Sequence, residues 1–256
     1  MEEKITIKNR ESKRLVLVLE LVKNQKGLVF VMHGLGGSKD QKHIKTFSRA
    51  FIESGYSTVR FDVTHTFGES EGNYEDATIT NYYEDLEDII KWAKSQRWYE
   101  EPFCLVGHSL GGISVALYAE NYPTKVKALA PISVVVSGKL SMEVHKKEWP
   151  EWKRNGWMIK ESSTKPGLMK KLKWAHFEDR LKYNLLDKVE NLTMPVLLIV
   201  GEKDESTPPK HQKILYKKLP GKKELHIIKN APHTFKDEKH LEEIKKIFLD
   251  WIKKIN

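Results

Sequence analysis

The pentapeptide Gly107-His108-Ser109-Leu110-Gly111 follows the apolar run Phe103-Cys104-Leu105-Val106 and opens a helical pattern that begins Gly112-Ile113-Ser114. A serine on a tight strand-to-helix turn presents its hydroxyl for attack. Glycines two residues before and after it let the neighbouring backbones come close without a Cβ in the way. Such a hydroxyl needs a base to take its proton, and the base needs a third group to orient it. Later segments hold both. Gly201-Glu202-Lys203-Asp204 follows the apolar run 196–200, and Lys229-Asn230-Ala231-Pro232-His233 follows the run 225–228. Each puts its functional residue on a loop at the C-terminal end of a strand. Ser109 is thereby read as nucleophile, His233 as general base and Asp204 as the acid that holds the base, with Glu202 and Asp187 as alternative acids. His226 lies within a strand and His240 on a helix, so neither is as well placed. Asp62, also at a strand end, reads as a turn or supporting residue. The glycine-rich stretch His33-Gly34-Leu35-Gly36-Gly37 can turn backbone N–H groups inward. It lacks the Gly-Lys-Ser/Thr ending and the Gly-x-Gly-x-x-Gly spacing of phosphate loops.

These residues need a scaffold of strand ends, and the rest of the chain supplies one. Short β-rich runs alternate with helical patterns, the signature of a mostly parallel sheet covered by helices on both faces, an α/β fold. The runs near residues 5–7, 15–19, 28–32, 57–61, 103–106, 126–130, 196–200 and 225–228 amount to about eight strands, the first two close enough to pair as a hairpin. Leu86, Ile89, Ile90 and Ala93 recur at helical spacing after the turn and capping residues Thr80-Asn81, as do Leu241, Ile244, Ile247, Phe248 and Trp251. From about Ser137 to Lys188 the alternation breaks, over a length too great for an ordinary connection. This stretch reads as a small helical cap, residues 137–188, inserted into a core formed by 1–136 and 189–256.

At 256 residues the chain suits one domain with a sizeable core. Apolar residues at 39% and charged residues at 31% exclude a disordered chain. No apolar run approaches the ~20 residues that span a bilayer, and the first residues lack a secretory signal, so a cytoplasmic location is expected. Cys104, the single cysteine, excludes an internal disulfide and a cysteine-rich zinc site, and its apolar surroundings make it a core residue. The net charge of +9 comes from scattered lysines with no nucleic-acid-binding motif. The cap alone, from Lys139 to Lys188, carries 13 Lys/Arg against 7 Asp/Glu. That excess is either a solvated face or a feature that favours an anionic substrate. The acidic stretch 69–88, free of Lys and Arg, is a candidate for the opposite wall.

Together these motifs resemble the α/β-hydrolase superfamily over nearly the whole chain, and the order Ser, Asp, His is the one that superfamily uses. The resemblance implies an oxyanion hole made by the backbone N–H groups of Leu35 and Leu110. The stretch from Arg60-Phe61-Asp62 through Gly68-Glu69-Ser70-Glu71-Gly72 looks like the small capped carboxylesterases of the cinnamoyl or feruloyl esterase and monoacylglycerol lipase group. That group commonly has a Gly-His-Gly-x-Ser turn. Here Thr64-His65-Thr66-Phe67-Gly68-Glu69-Ser70 keeps the His and the Gly-x-Ser but not the spacing, which weakens any transfer of specificity. With Ser in place of Asp, the chemistry of the dehalogenases and epoxide hydrolases of this fold does not carry over. The expected reaction is hydrolysis of a small-molecule carboxylic ester through an acyl-enzyme, with no metal or organic cofactor. Thioester or small-peptide hydrolysis by the same triad is the alternative. A non-catalytic ligand receptor is a further one, which the complete set of triad residues disfavours. In the cap, Trp149, Trp152, Trp157 and Trp174, with Met142, Met158 and Met169, either line a substrate pocket or form the cap's own core.

Overall fold

The structure is a computed structural model that describes residues 2–161, 167 and 169–255. The chain opens with β1 (Glu2–Lys8) and β2 (Arg14–Glu20), an antiparallel hairpin in register from Glu2↔Glu20 to Lys8↔Arg14. There follow β3 (Leu28–Met32), α1 (Lys42–Glu53), β4 (Ser57–Asp62), α2 (Ile79–Ala93), β5 (Phe103–His108), α3 (Leu110–Asn121) and β6 (Val126–Ile132). An excursion of α4 (Gly138–Val144), α5 (Trp149–Asn155), β7 (Trp157–Glu161), β8 (Met169–Lys173) and α6 (Ala175–Arg180) leads back to β9 (Val196–Gly201). Then come α7 (Pro209–Lys218), β10 (Lys223–Ile228) and α8 (Glu238–Ile255). The eight-stranded sheet has the order β1-β2-β4-β3-β5-β6-β9-β10. β2 runs antiparallel to β4, and from β4 to β10 all neighbours are parallel.

The central strands read as unbroken apolar runs because both of their faces are buried. Along β3, Leu28, Phe30 and Met32 join the core under α2 and α3, while Val29 and Val31 join the core under α1 and α8. β5 divides in the same way, with Phe103 and Leu105 on the first side and Cys104 and Val106 on the second. Cys104 is buried and free, as a core residue. The helix expected after Thr80-Asn81 begins one turn earlier. Its N-cap is Thr78, whose hydroxyl accepts the Asn81 N–H at 3.0 Å, and Asn81 sits in the first turn. No helix among the described residues is long and apolar enough to cross a membrane.

The segment between β6 and β9 is not purely helical: β7 and β8 form an antiparallel hairpin with Met158 opposite Leu172 and Lys160 opposite Lys170. Its strands lack a clear apolar alternation because only Leu172 is fully buried, and charged residues occupy both faces. That hides them from a reading based on apolar period.

Asp62, at the end of β4, does more than terminate a strand. Its carboxylate accepts the backbone N–H of Lys39 at 2.7 Å, the Lys39 ammonium at 2.9 Å and the Glu69 N–H at 2.9 Å. Asp62 is wholly buried and Lys39 is 1% exposed, so the pair ties the connection after β3 to the connection after β4 from within the protein. Removing one partner of a buried pair strands the other charge. Asp62→Ala should therefore lower the unfolding free energy by about 3 kcal/mol, read as a drop in the urea midpoint at unchanged slope. A loss no larger than that of an exposed ion pair would show that Glu69 and Asp40 suffice to satisfy Lys39.

Candidate active site

The turn between β5 and α3 forces the backbone of Ser109 to φ 56° and ψ −112°, a left-handed conformation that side chains other than glycine rarely adopt. The Ser109 N–H donates to Ile132 O at 2.9 Å, which fastens the turn to the end of β6. The flanking glycines are needed for close approach. A Cβ at Gly107 would overlap the carbonyl of Gly111, and one at Gly111 would overlap the carbonyl of His33. The conformation lifts the Ser109 side chain to the mouth of a cavity of about 260 Å³ between the strand ends and the cap.

Two loops from the same edge of the sheet meet the serine. His233 Nε2 lies 3.0 Å from Ser109 Oγ, and His233 Nδ1 lies 2.8 Å from Asp204 Oδ2. Asp204 is 2% exposed, and its Oδ1 accepts the N–H groups of Ser206 at 3.0 Å and Thr207 at 2.8 Å. Burial alone would raise its pKa, but the bonds from His233 and Thr207 outweigh that and hold it down at about 2. With the carboxylate on Nδ1, the proton sits there and Nε2 keeps its lone pair towards the serine. Glu202 accepts the Asn230 N–H and Asp187 accepts from Asn184, so neither alternative acid bonds His233. His226 pairs with Glu224 on half-buried β10.

Three supporting residues gave no separate signal in the sequence. Thr207 Oγ1 lies 2.9 Å from Asp204 Oδ2, 2.9 Å from Ser133 O and 3.3 Å from His233 Nδ1, so it braces the acid and the base together. His108 Nε2–H donates to His233 O at 2.9 Å, and burial pushes its own pKa down to about 3, so it acts as a neutral prop. His33 Nδ1–H donates to Gly34 O at 2.8 Å, and Tyr82 Oη–H donates to the same oxygen at 3.1 Å, as does Gly37 N–H at 2.9 Å. In a trans peptide the N–H points away from the C=O. Fixing the Gly34 carbonyl on these donors therefore turns the Leu35 N–H the other way. Leu35 and Leu110 both line the cavity beside Ser109, and among the described residues neither N–H is taken by an acceptor of the chain.

The family described as Serine aminopeptidase, S33 (Hydrolase_4) matches residues 23–240. The chain belongs to this family. It has the α/β-hydrolase fold, with a TM-score of 0.81 to mouse alpha/beta hydrolase domain-containing protein 10 at 22% identity, covering 99% of this chain and 100% of that one. A ferulic-acid-bound structure of Est1E from Butyrivibrio proteoclasticus gives a TM-score of 0.79 at 24% identity, over 98% of each chain. Among curated sequences, an uncharacterized 31.7 kDa protein of the traX-finO intergenic region of Escherichia coli is 25% identical over 89% of this chain and 90% of its own length. Mouse palmitoyl-protein thioesterase ABHD10, mitochondrial, is 27% identical over 71% of this chain and 60% of its own length.

The four cap tryptophans of this hydrolase part company. Trp152 alone among them lines the cavity, with its Nε1–H donated to Leu172 O at 3.1 Å. Trp174 packs against Trp152 and Phe177 as cap core. Trp149 borders a separate shallow surface with Met142, and the Trp157 ring lies under the Lys171 ammonium at 3.8 Å. Met158 lines the cavity, whereas Met169 is 57% exposed. The period of two explains the split. Met158, Lys160, Lys170 and Leu172 share the hairpin face above the cavity, and Trp157, Ile159, Lys171 and Lys173 share the other. The acidic stretch 69–88 is not a cavity wall. Only Tyr74 from it reaches the lining, while Glu84, Glu87 and Asp88 hold Arg10.

The lowered pKa of Asp204 carries a pH signature. Its folded value of about 2 lies below the ordinary 3.8. The associated stability is therefore present in full above the ordinary value and is lost as pH falls through the folded one. Asp204→Asn should lower stability at neutral pH by roughly 2 kcal/mol and flatten the acid limb of the stability curve between pH 4 and pH 2. Parallel acid limbs for the two proteins would show that the carboxylate is not held in this way.

Proposed function

We propose that the chain is a serine hydrolase that cleaves carboxylic esters through an acyl-enzyme on Ser109. The observation that carries this reading is the unbroken line from Ser109 Oγ through His233 to Asp204, at 3.0 and 2.8 Å, beside two backbone N–H groups with no acceptor among the described residues. His233 Nε2 takes the Ser109 proton as Oγ attacks the ester carbonyl. The N–H groups of Leu35 and Leu110 bond the developing oxyanion, each worth ~3–4 kcal/mol in comparable sites. His233 then protonates the departing alcohol. In the second half it deprotonates the water that releases the acid, while Asp204 stabilises the imidazolium at each stage.

The relative named as a palmitoyl-protein thioesterase supports acyl transfer to water. The family description names an aminopeptidase, but the cavity does not favour that reaction. A free peptide amine, with a pKa of about 8, is largely cationic at neutral pH and calls for a carboxylate to receive it. The described lining includes Lys160, Lys170 and Arg180 and no Asp or Glu.

Labelling with a fluorophosphonate probe and turnover of a panel of 4-nitrophenyl, feruloyl and acyl-CoA substrates test the proposal. Ser109→Ala should lose the label, and Asp204→Asn should lose about 10⁴ in kcat. Ester turnover near the parent level in Ser109→Ala would sink the nucleophile assignment. Turnover confined to acyl-CoA would move the substrate class to thioesters.

A further inference from the structure

Each of the three cations in the lining has different company. Lys160 Nζ is paired with Glu148 at 2.5 Å, and Lys170 Nζ lies over the rings of Phe67 and Tyr74 at 5.6 and 5.8 Å. Arg180 closes α6, is 9% exposed, and meets no carboxylate among the described residues. Its Nη2–H donates to His176 Nε2 at 2.6 Å, and its Nε is buried without a partner. His176 gives no countercharge. Its Nδ1–H is committed to Ala77 O at 2.7 Å, which leaves Nε2 as an acceptor, and burial pushes its pKa down to about 3.

The acidic side chains nearby are engaged elsewhere. Asp179 accepts from Thr80 and Lys182, Asp76 holds Lys173, and Glu148 holds Lys160 and His145. The remaining titratable groups around the guanidinium, His145 and Tyr74, add no negative charge at neutral pH. Burial lowers the pKa of His145 and raises that of Tyr74. Arg180 itself is lowered by burial to about 10, so it remains a cation at neutral pH. A buried guanidinium lacking a countercharge is costly to a fold. Its five donors form a planar fork that matches a carboxylate. Here the fork borders the cavity that holds Ser109.

We propose that Arg180 receives a carboxylate carried by the substrate, so that the ester cleaved at Ser109 has a second, anionic end. The guanidinium binds two carboxylate oxygens. Arg180 is thus a specificity residue, and this role rests on the ester-hydrolase reading.

Two matched pairs of substrates test it by pH-stat. Monoethyl adipate against ethyl hexanoate puts the carboxylate on the acyl side, and 6-acetoxyhexanoate against hexyl acetate puts it on the alcohol side. In at least one pair the charged ester should have the higher kcat/KM by about tenfold or more, the scale of a charge-assisted hydrogen bond, with the difference mainly in KM. Arg180→Gln should collapse that ratio, and Arg180→Lys should keep an intermediate one. Adipate should compete with ethyl hexanoate in the parent protein while neutral adipamide does not, a measurement that needs no variant to fold. Cleavage of the neutral esters with no preference in either pair, or a preference that survives Arg180→Gln, overturns the role of Arg180 and leaves the ester reading intact. Absence of both ester turnover and fluorophosphonate labelling overturns the two together.

Discussion

The left-handed turn at Ser109 is the constraint from which the rest of the site is arranged. Holding a non-glycine residue in such a region costs about 1–3 kcal/mol, and it persists only where the surroundings leave no alternative. Here they do not. The Ser109 N–H is bonded to β6, and the glycines on either side let the start of α3 lie against the end of β5 and the carbonyl of His33. The strain fixes Ser109 Oγ relative to three strand ends at once. The loops after β9 and β10 then need only modest reach to bring Asp204 and His233 into line.

Around this turn the structure treats buried polarity in two ways. Near the sheet the buried groups that frame the site are matched in sets: Asp62 with Lys39, Asp204 with His233 and Thr207, and His33 with Gly34 and the Val63 N–H. These bonds convert flexible loops into a rigid frame, and the buried histidines in it stay neutral because solvent is excluded from them. Under the cap the Arg180 guanidinium meets no carboxylate among the described residues, and its Nε is buried without an acceptor.

How much of this could be read beforehand depended on which elements repeat and which do not. Strands buried on both faces are continuous apolar runs, so their ends, and the residues just beyond them, were legible. That is why Ser109, Asp204 and His233 could be named and why the structure brings them within hydrogen-bonding distance. The cap was read as helical because β7 and β8 are short, lysine-bearing and half-exposed. Its tryptophans could not be sorted, since a Trp facing a cavity and one facing a neighbouring ring look alike in sequence. Thr207, His108 and His33 act through contacts between segments far apart in the chain, and no local spacing announces them. Arg180 was hidden for another reason: among 13 basic residues of the cap, it is marked only by the lack of a carboxylate partner among the described residues.

The roof of the cavity is a two-stranded ribbon, and this gives its inheritance of substrate range a peculiar grain. Exchanging Met158, Lys160, Lys170 or Leu172 alters one patch of lining at a time. Inserting or deleting a single residue at the start of either strand would turn that strand over, because side chains alternate from face to face. Trp157 and Ile159 would then replace Met158 and Lys160 above the serine in one step. The ribbon lies outside the eight-stranded sheet, so such a jump would leave the frame beneath it unaltered. Lineages of this hydrolase thus have two tempos of change open to them, gradual drift by substitution and abrupt replacement by frame-preserving indels of one codon.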